Sequence, residues 1–72
     1  MNKDDLLKKF GKNVKIERVK KDLTREMLAE KMNVSVHYLS SIELGKANMS
    51  LGKILELAQF LDTDIENLLN FK

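Results

Sequence analysis

Residues Leu23–Ser50 read LTREMLAEKMNVSVHYLSSIELGKANMS, and this stretch decides the fold. Leu28 and Met32 stand four apart, with Leu23 and Met27 close by, so a helix over this segment has one apolar face. Ala29 falls on the side where a second helix must approach, and a larger side chain there would push the two apart. Asn33 follows the last apolar residue and tolerates the left-handed backbone that ends a helix and turns the chain. Val34 is apolar and suited to plug the gap. Ser35 is a good N-cap for a second helix, in which Leu39 and Ile42 face inward, and Gly45 supplies the stop. The unit is helix, tight turn, helix.

Working outward, helical periodicity holds throughout and no sheet is expected. The first helix is expected over about Asp4–Lys21, with Leu7, Phe10, Val14 and Val19 inward. The second spans Arg25–Met32, the third Val36–Leu44, and the fourth Leu51–Leu61, capped by Ser50. In the fourth, Ile54, Leu55, Leu57, Ala58 and Leu61 are apolar. The T-x-x-E pattern of Thr63 and Glu66 predicts a capping box that starts a fifth helix, with Ile65, Leu68 and Leu69 on its apolar face.

Composition bounds the function. The 72 residues make one domain, and a chain of this size buries only about 60% of its unfolded surface. The absence of Cys removes disulfides and thiolate metal sites and fits a reducing, cytoplasmic setting. The apolar runs are too short for a membrane span, and no signal-peptide pattern opens the chain. One His, no Cys and no carboxylate pair in a recognisable pocket argue against an enzyme, a metal site or a cofactor, and no small-molecule ligand is expected. The net charge of +2 is unevenly spread. Residues 1–31 carry ten Lys or Arg and six Asp or Glu, a net +4, whereas residues 32–72 carry three and five, a net −2. A Lys-rich helix is often no more than a solvated face; beside the helix–turn–helix spacing, the basic half reads as a surface for phosphate.

The same residues carry a family resemblance. The segment resembles the helix-turn-helix of the Cro/phage-repressor (xenobiotic-response-element) family, whose members typically read L-T-Q-x-x-L-A-x-x-x-G-V-S-x-x-Y-I-S-x-I-E-x-G-K followed by N-P-S. Leu23, Thr24, Leu28, Ala29, Val34, Ser35, Tyr38, Ser40, Ile42, Glu43, Gly45, Lys46, Asn48 and Ser50 match it. Phe10-Gly11-Lys12 and Arg18 fit the family's first helix, and the resemblance runs over about residues 8–70. The departures are Arg25 for Gln, Asn33 and Asp22 for turn glycines, Met49 for Pro, and Glu17 where an apolar residue is usual, with Ile16 beside it. The resemblance implies an all-α, compact, five-helix lambda-repressor-like domain over 1–72, with its helix-turn-helix core at about 24–44. It also implies a sequence-specific transcriptional regulator, a repressor, that binds double-stranded DNA as a homodimer.

On that reading Val36, His37, Ser40, Ser41 and Leu44 form the outer face of the third helix and meet base edges in the major groove. The set lacks Arg, Asn and Gln for bidentate contacts, so discrimination is expected near the low end of ~1–3 kcal/mol per base pair. Arg25, Ser35, Tyr38, Lys46 and Asn48 are the backbone-contact candidates. Plain structural roles stand beside these: Ser35 as a cap, Tyr38 as a half-packed ring, Lys46 and Asn48 as loop residues, His37 as a solvated side chain. Arg18 and Glu43 match the family's ion pair between the first and third helices, a structural role. Leu68, Leu69 and Phe71 are candidates for a dimer patch, with core burial the alternative. A protein-interaction module of the same fold, such as an antitoxin-like partner with weak or no specific DNA binding, is the competing function, motivated by Val36 and Leu44.

Overall fold

The computed structural model describes residues 1–72 and contains five helices. They are α1 (Lys3–Lys20), α2 (Arg25–Met32), α3 (Val36–Glu43), α4 (Leu51–Phe60) and α5 (Ile65–Leu68). Four start on a side-chain cap. The oxygens of Asn2, Thr24, Ser35 and Ser50 accept the backbone N–H of Asp5, Met27, Tyr38 and Lys53, respectively. Each cap satisfies one of the donors that a helix start leaves without a partner.

Four helices also end alike. Asp22, Asn33, Gly45 and Asp62 follow α1 to α4, and all have positive φ, between 52° and 77°. At each, the next amide reaches back to a carbonyl five residues upstream: Leu23 to Arg18, Val34 to Ala29, Lys46 to Ser41 and Thr63 to Ala58. One left-handed residue therefore both stops the helix and reverses the chain. The Asp62 stop was not foreseen.

The core is built from all five helices: Phe10 and Val14 of α1, Leu28 and Ala29 of α2, Leu39 and Ile42 of α3, Ile54, Leu57 and Ala58 of α4 with Leu61 at its end, and Leu68 of α5. Val34 packs against this cluster from the turn. Gly11 lets α1 cross α3 closely, since a Cβ there would collide with the carbonyl oxygens of Ile42 and Glu43.

Two expectations from the sequence fail, the inward Val19 and the Thr63–Glu66 capping box. Val19 does not face inward but is 56% exposed, and the last turns of α1 turn Glu17 and Arg18 to the interior instead. Leu55 and Met27 are apolar yet exposed. The Thr63–Glu66 capping box does not form. Asp64 is the N-cap of α5, without a side-chain cap bond, and the Thr63 hydroxyl donates to Glu17 Oε1 at 2.8 Å. Leu68 is fully buried, the core alternative expected for that residue, so the candidate dimer patch keeps only Leu69 and Phe71.

Glu17 is 6% exposed at the position that an apolar residue usually fills, while Ile16 beside it points to solvent. Its second oxygen accepts Lys20 Nζ at 3.2 Å. Burial pushes the carboxyl up, but the hydrogen bonds from Thr63 and Lys20 and the charges of Lys20 and Lys21 outweigh it and hold the group below its ordinary value. Nearby, Lys21 Nζ donates to the Asp62 carbonyl at 2.8 Å, and Asn13 Nδ2 donates to the carbonyls of Leu68 and Asn70. Polar side chains of α1 thus pin the α4–α5 turn and the C-terminus.

Candidate nucleic-acid interface

α3 is seated by its inner side. Leu39, Ile42 and Glu43 are buried, and the spacing of 3.6 residues per turn turns His37, Ser40, Ser41 and Leu44 outward; Val36, two turns before Glu43 and on its side of the helix, is exposed because it stands in the first turn. Val36, His37 and Leu44 are exposed, and Ser40 and Ser41 are half-buried between them. No other part of the chain covers this face. The Ser41 hydroxyl donates to the His37 carbonyl at 3.1 Å, which occupies its hydrogen and leaves the oxygen to accept. Ser40 and His37 make no side-chain hydrogen bond within the protein, so their polar atoms are free for a ligand.

The tilt of α3 is fixed by one carboxylate. Glu43 Oε2 accepts Arg18 Nε at 2.7 Å, and Oε1 accepts Arg18 Nη2 at 3.2 Å, a bidentate fork between α3 and α1. Arg18 Nη1 donates to the Leu23 carbonyl at 2.8 Å, which draws in the start of α2. Sequence reasoning anticipated this pair but missed its third member: Arg25 Nε donates to Glu43 Oε1 at 3.1 Å. The side chain of Glu43 is 1% exposed and that of Arg25 38%. Two guanidinium groups on one carboxylate leave a net +1 at the junction of α1, α2 and α3.

The other backbone-contact candidates surround the α3 face. Ser35 is spent as a cap through its Oγ, Tyr38 stands partly exposed on the first turn, and Lys46 and Asn48 are exposed in the loop after α3. Two further cations join them that sequence reasoning did not single out. Lys3 and Lys8 of α1 line one open cleft with Leu44, Gly45, Lys46 and Asn48, where Asp4 is the single acid. Gly45 makes this possible, because any Cβ there would strike the backbone of Lys8. No signal local to Lys8 reveals the approach, which depends on how α1 crosses the end of α3. Basic groups therefore gather about the C-terminal end of α3, with Arg25 held against Glu43 and Lys3, Lys8 and Lys46 beside Leu44 and Gly45. No three His, Cys, Asp or Glu side chains come together in a metal-binding group, and no helix is long and apolar enough to cross a membrane.

The helix-turn-helix family profile matches residues 14–68, most of the chain. The chain belongs to the helix-turn-helix family. The resemblance to Cro/phage-repressor-like regulators read from Leu23–Ser50 is thereby shown, and with it the all-helical fold. Among solved structures, this helix-turn-helix protein is similar to the restriction-modification controller protein C.AhdI from Aeromonas hydrophila. The two share 37% identity and a TM-score of 0.79, over 86% of this chain and 94% of that one. It is also similar to the hypothetical transcription factor NHTF from Neisseria, at 27% identity and a TM-score of 0.83, over 97% of this chain and 80% of that one. No curated protein sequence is significantly similar to it. These findings support a DNA-binding regulator rather than an enzyme.

Proposed function

We propose that this helix-turn-helix protein is a transcriptional repressor that binds double-stranded DNA sequence-specifically as a homodimer, with α3 in the major groove. The observation that carries the reading is the uncovered face of α3, with cations gathered about its C-terminal end. In this docking His37, Ser40 and Ser41 hydrogen-bond base edges, and Val36 and Leu44 pack on thymine methyl groups. Arg25, Tyr38, Lys46, Asn48 and the backbone around Ser35 lie along phosphates, joined by Lys3 and Lys8. Two copies read half-sites about 34 Å apart. The interface for that dimer is the apolar groove lined by Leu6, Met49, Leu51, Leu69 and Phe71 between α1, α4 and the C-terminus. Leu55, one turn along α4 from Leu51, extends it.

Fluorescence-anisotropy titration on mixed-sequence DNA at several salt concentrations tests the reading. The expected result is a steep negative slope of log K against log salt, about −0.9 for each phosphate neutralised. A flat response sinks it and favours the protein-partner module, in which Val36 and Leu44 contact protein instead. In vitro selection of bound sequences is then expected to return a palindrome.

A further inference from the structure

Arg25 differs from its surroundings in how its hydrogen-bonding capacity is divided. Its Nε is held by Glu43 Oε1 at 3.1 Å, whereas Nη1 and Nη2 have no partner in the protein. No buried side-chain nitrogen or oxygen in the structure lacks a partner, so those two terminal nitrogens reach solvent. The other end of the clamp is rigid. Glu43 is buried, and Arg18 grips both of its oxygens from α1. A guanidinium has a planar fork of five N–H donors, so one edge can be tied to a carboxylate while another faces a phosphate. The Gln that the family usually places here has no second edge of this kind and no charge.

We propose that Glu43 is a positioning residue for DNA binding: it fixes Arg25 by Nε so that the two terminal guanidinium nitrogens are presented to a backbone phosphate at the start of α2. This rests on the DNA-binding reading above and adds to it the device that aims the cation. Without the clamp a long, exposed arginine must give up rotamer freedom when it meets the phosphate. With the clamp that freedom is already lost in the free protein. The clamp also ties phosphate contact to the α1–α3 frame, because the same carboxylate sets the tilt of α3.

The test is a double-mutant cycle of Arg25→Gln and Glu43→Gln, read by anisotropy titration on the same DNA at several salt concentrations, with folding checked by circular dichroism. Arg25→Gln is expected to reduce the salt slope by about one, which near 0.15 M salt amounts to roughly fivefold weaker binding. Glu43→Gln is expected to weaken binding in the wild-type background and to have no further effect once Arg25 is Gln. A purely structural Glu43 instead weakens binding equally in both backgrounds, which overturns the proposal. An Arg25→Gln variant with unchanged slope also overturns it, while leaving the DNA reading standing if the wild type shows its own salt dependence. A wild type indifferent to DNA removes both. Should Glu43→Gln fail to fold, the Arg25 side-chain NMR signals of the wild-type protein decide. A slowly exchanging Nε–H in the free protein, with terminal nitrogens that shift on adding DNA, supports the clamp, and a freely rotating guanidinium refutes it.

Discussion

Glu17 shows how a single residue can contradict a pattern and still belong to the fold. The position faces the core and would suit Leu or Val, yet the carboxylate is retained there by the Thr63 hydroxyl and Lys20. Its folded pKa lies below the ordinary value of 4.5, so the ionised form binds the native state better than the unfolded chain does. The stability it contributes is present above that ordinary value and is lost as pH falls through the folded value. Glu17→Gln is therefore expected to be less stable than wild type at neutral pH, with the gap closing as the solution is acidified below about pH 4. Urea unfolding at a series of pH values measures this, and a gap that stays constant with pH refutes the assignment. Thr63→Val, which removes a donor to a charged group, should cost about 1.5–3 kcal/mol at neutral pH. Arg18→Met is the more severe change. It leaves Glu43 nine-tenths buried with only Arg25 beside it, and a loss of roughly 3–5 kcal/mol is expected in the same assay.

Elements were legible in the sequence wherever their signals were local. The spacing of Leu28, Leu39, Ile42 and Leu57 places each on an inward face, and Asn33, Gly45 and the caps Ser35 and Ser50 mark ends that the structure reproduces within a residue. The miscast parts are those whose partners lie far along the chain. Periodicity turns Val19 inward, but Glu17 and Arg18 take the interior because of partners 46 and 25 positions away. Thr63 carries a capping-box pattern, but its hydroxyl donates to the buried Glu17 carboxylate and its oxygen accepts Asn67 Nδ2 at 2.9 Å, while Asp64 takes the N-cap position. Lys3 and Lys8 join the α3 cleft only because α1 crosses the end of α3 at Gly45. That crossing gives an element-scale prediction. Gly11→Ala adds one methyl group against two carbonyls that cannot easily move, and overpacking of this kind costs about 1–3 kcal/mol. In a helix interior free of contacts the same change would stabilise by about 1 kcal/mol. The sign of the change in the denaturation midpoint thus reports directly whether α1 and α3 touch as described.

At the scale of the whole molecule, the distribution of exposed apolar surface bears on the proposed dimer. A 72-residue chain has little interior to spare, yet Leu6, Leu51 and Leu55 lie exposed along α1 and α4, and half-buried Leu69 and Phe71 adjoin the first two in one groove. The groove contains none of Val36, His37, Ser40, Ser41 and Leu44, so a two-fold interface there leaves the α3 face free. The molecule measures 32 × 23 × 21 Å, so two copies side by side can set their α3 helices about one turn of DNA apart. If the groove is that interface, wild-type protein sediments as a dimer at micromolar concentration, and its melting temperature rises with protein concentration. Leu51→Glu places a charge on the exposed rim without touching the core, so the monomer should remain folded. Binding to a single half-site should then be unchanged, because no group on α3 has moved. Binding to the palindrome should fall by roughly 10²–10⁴-fold, the avidity that linking two sites provides. A Leu51→Glu protein that still sediments as a dimer and grips the palindrome as tightly as wild type would place the interface elsewhere on the molecule. Equal losses on both DNAs would instead mean that the substitution had disturbed the α3 face itself.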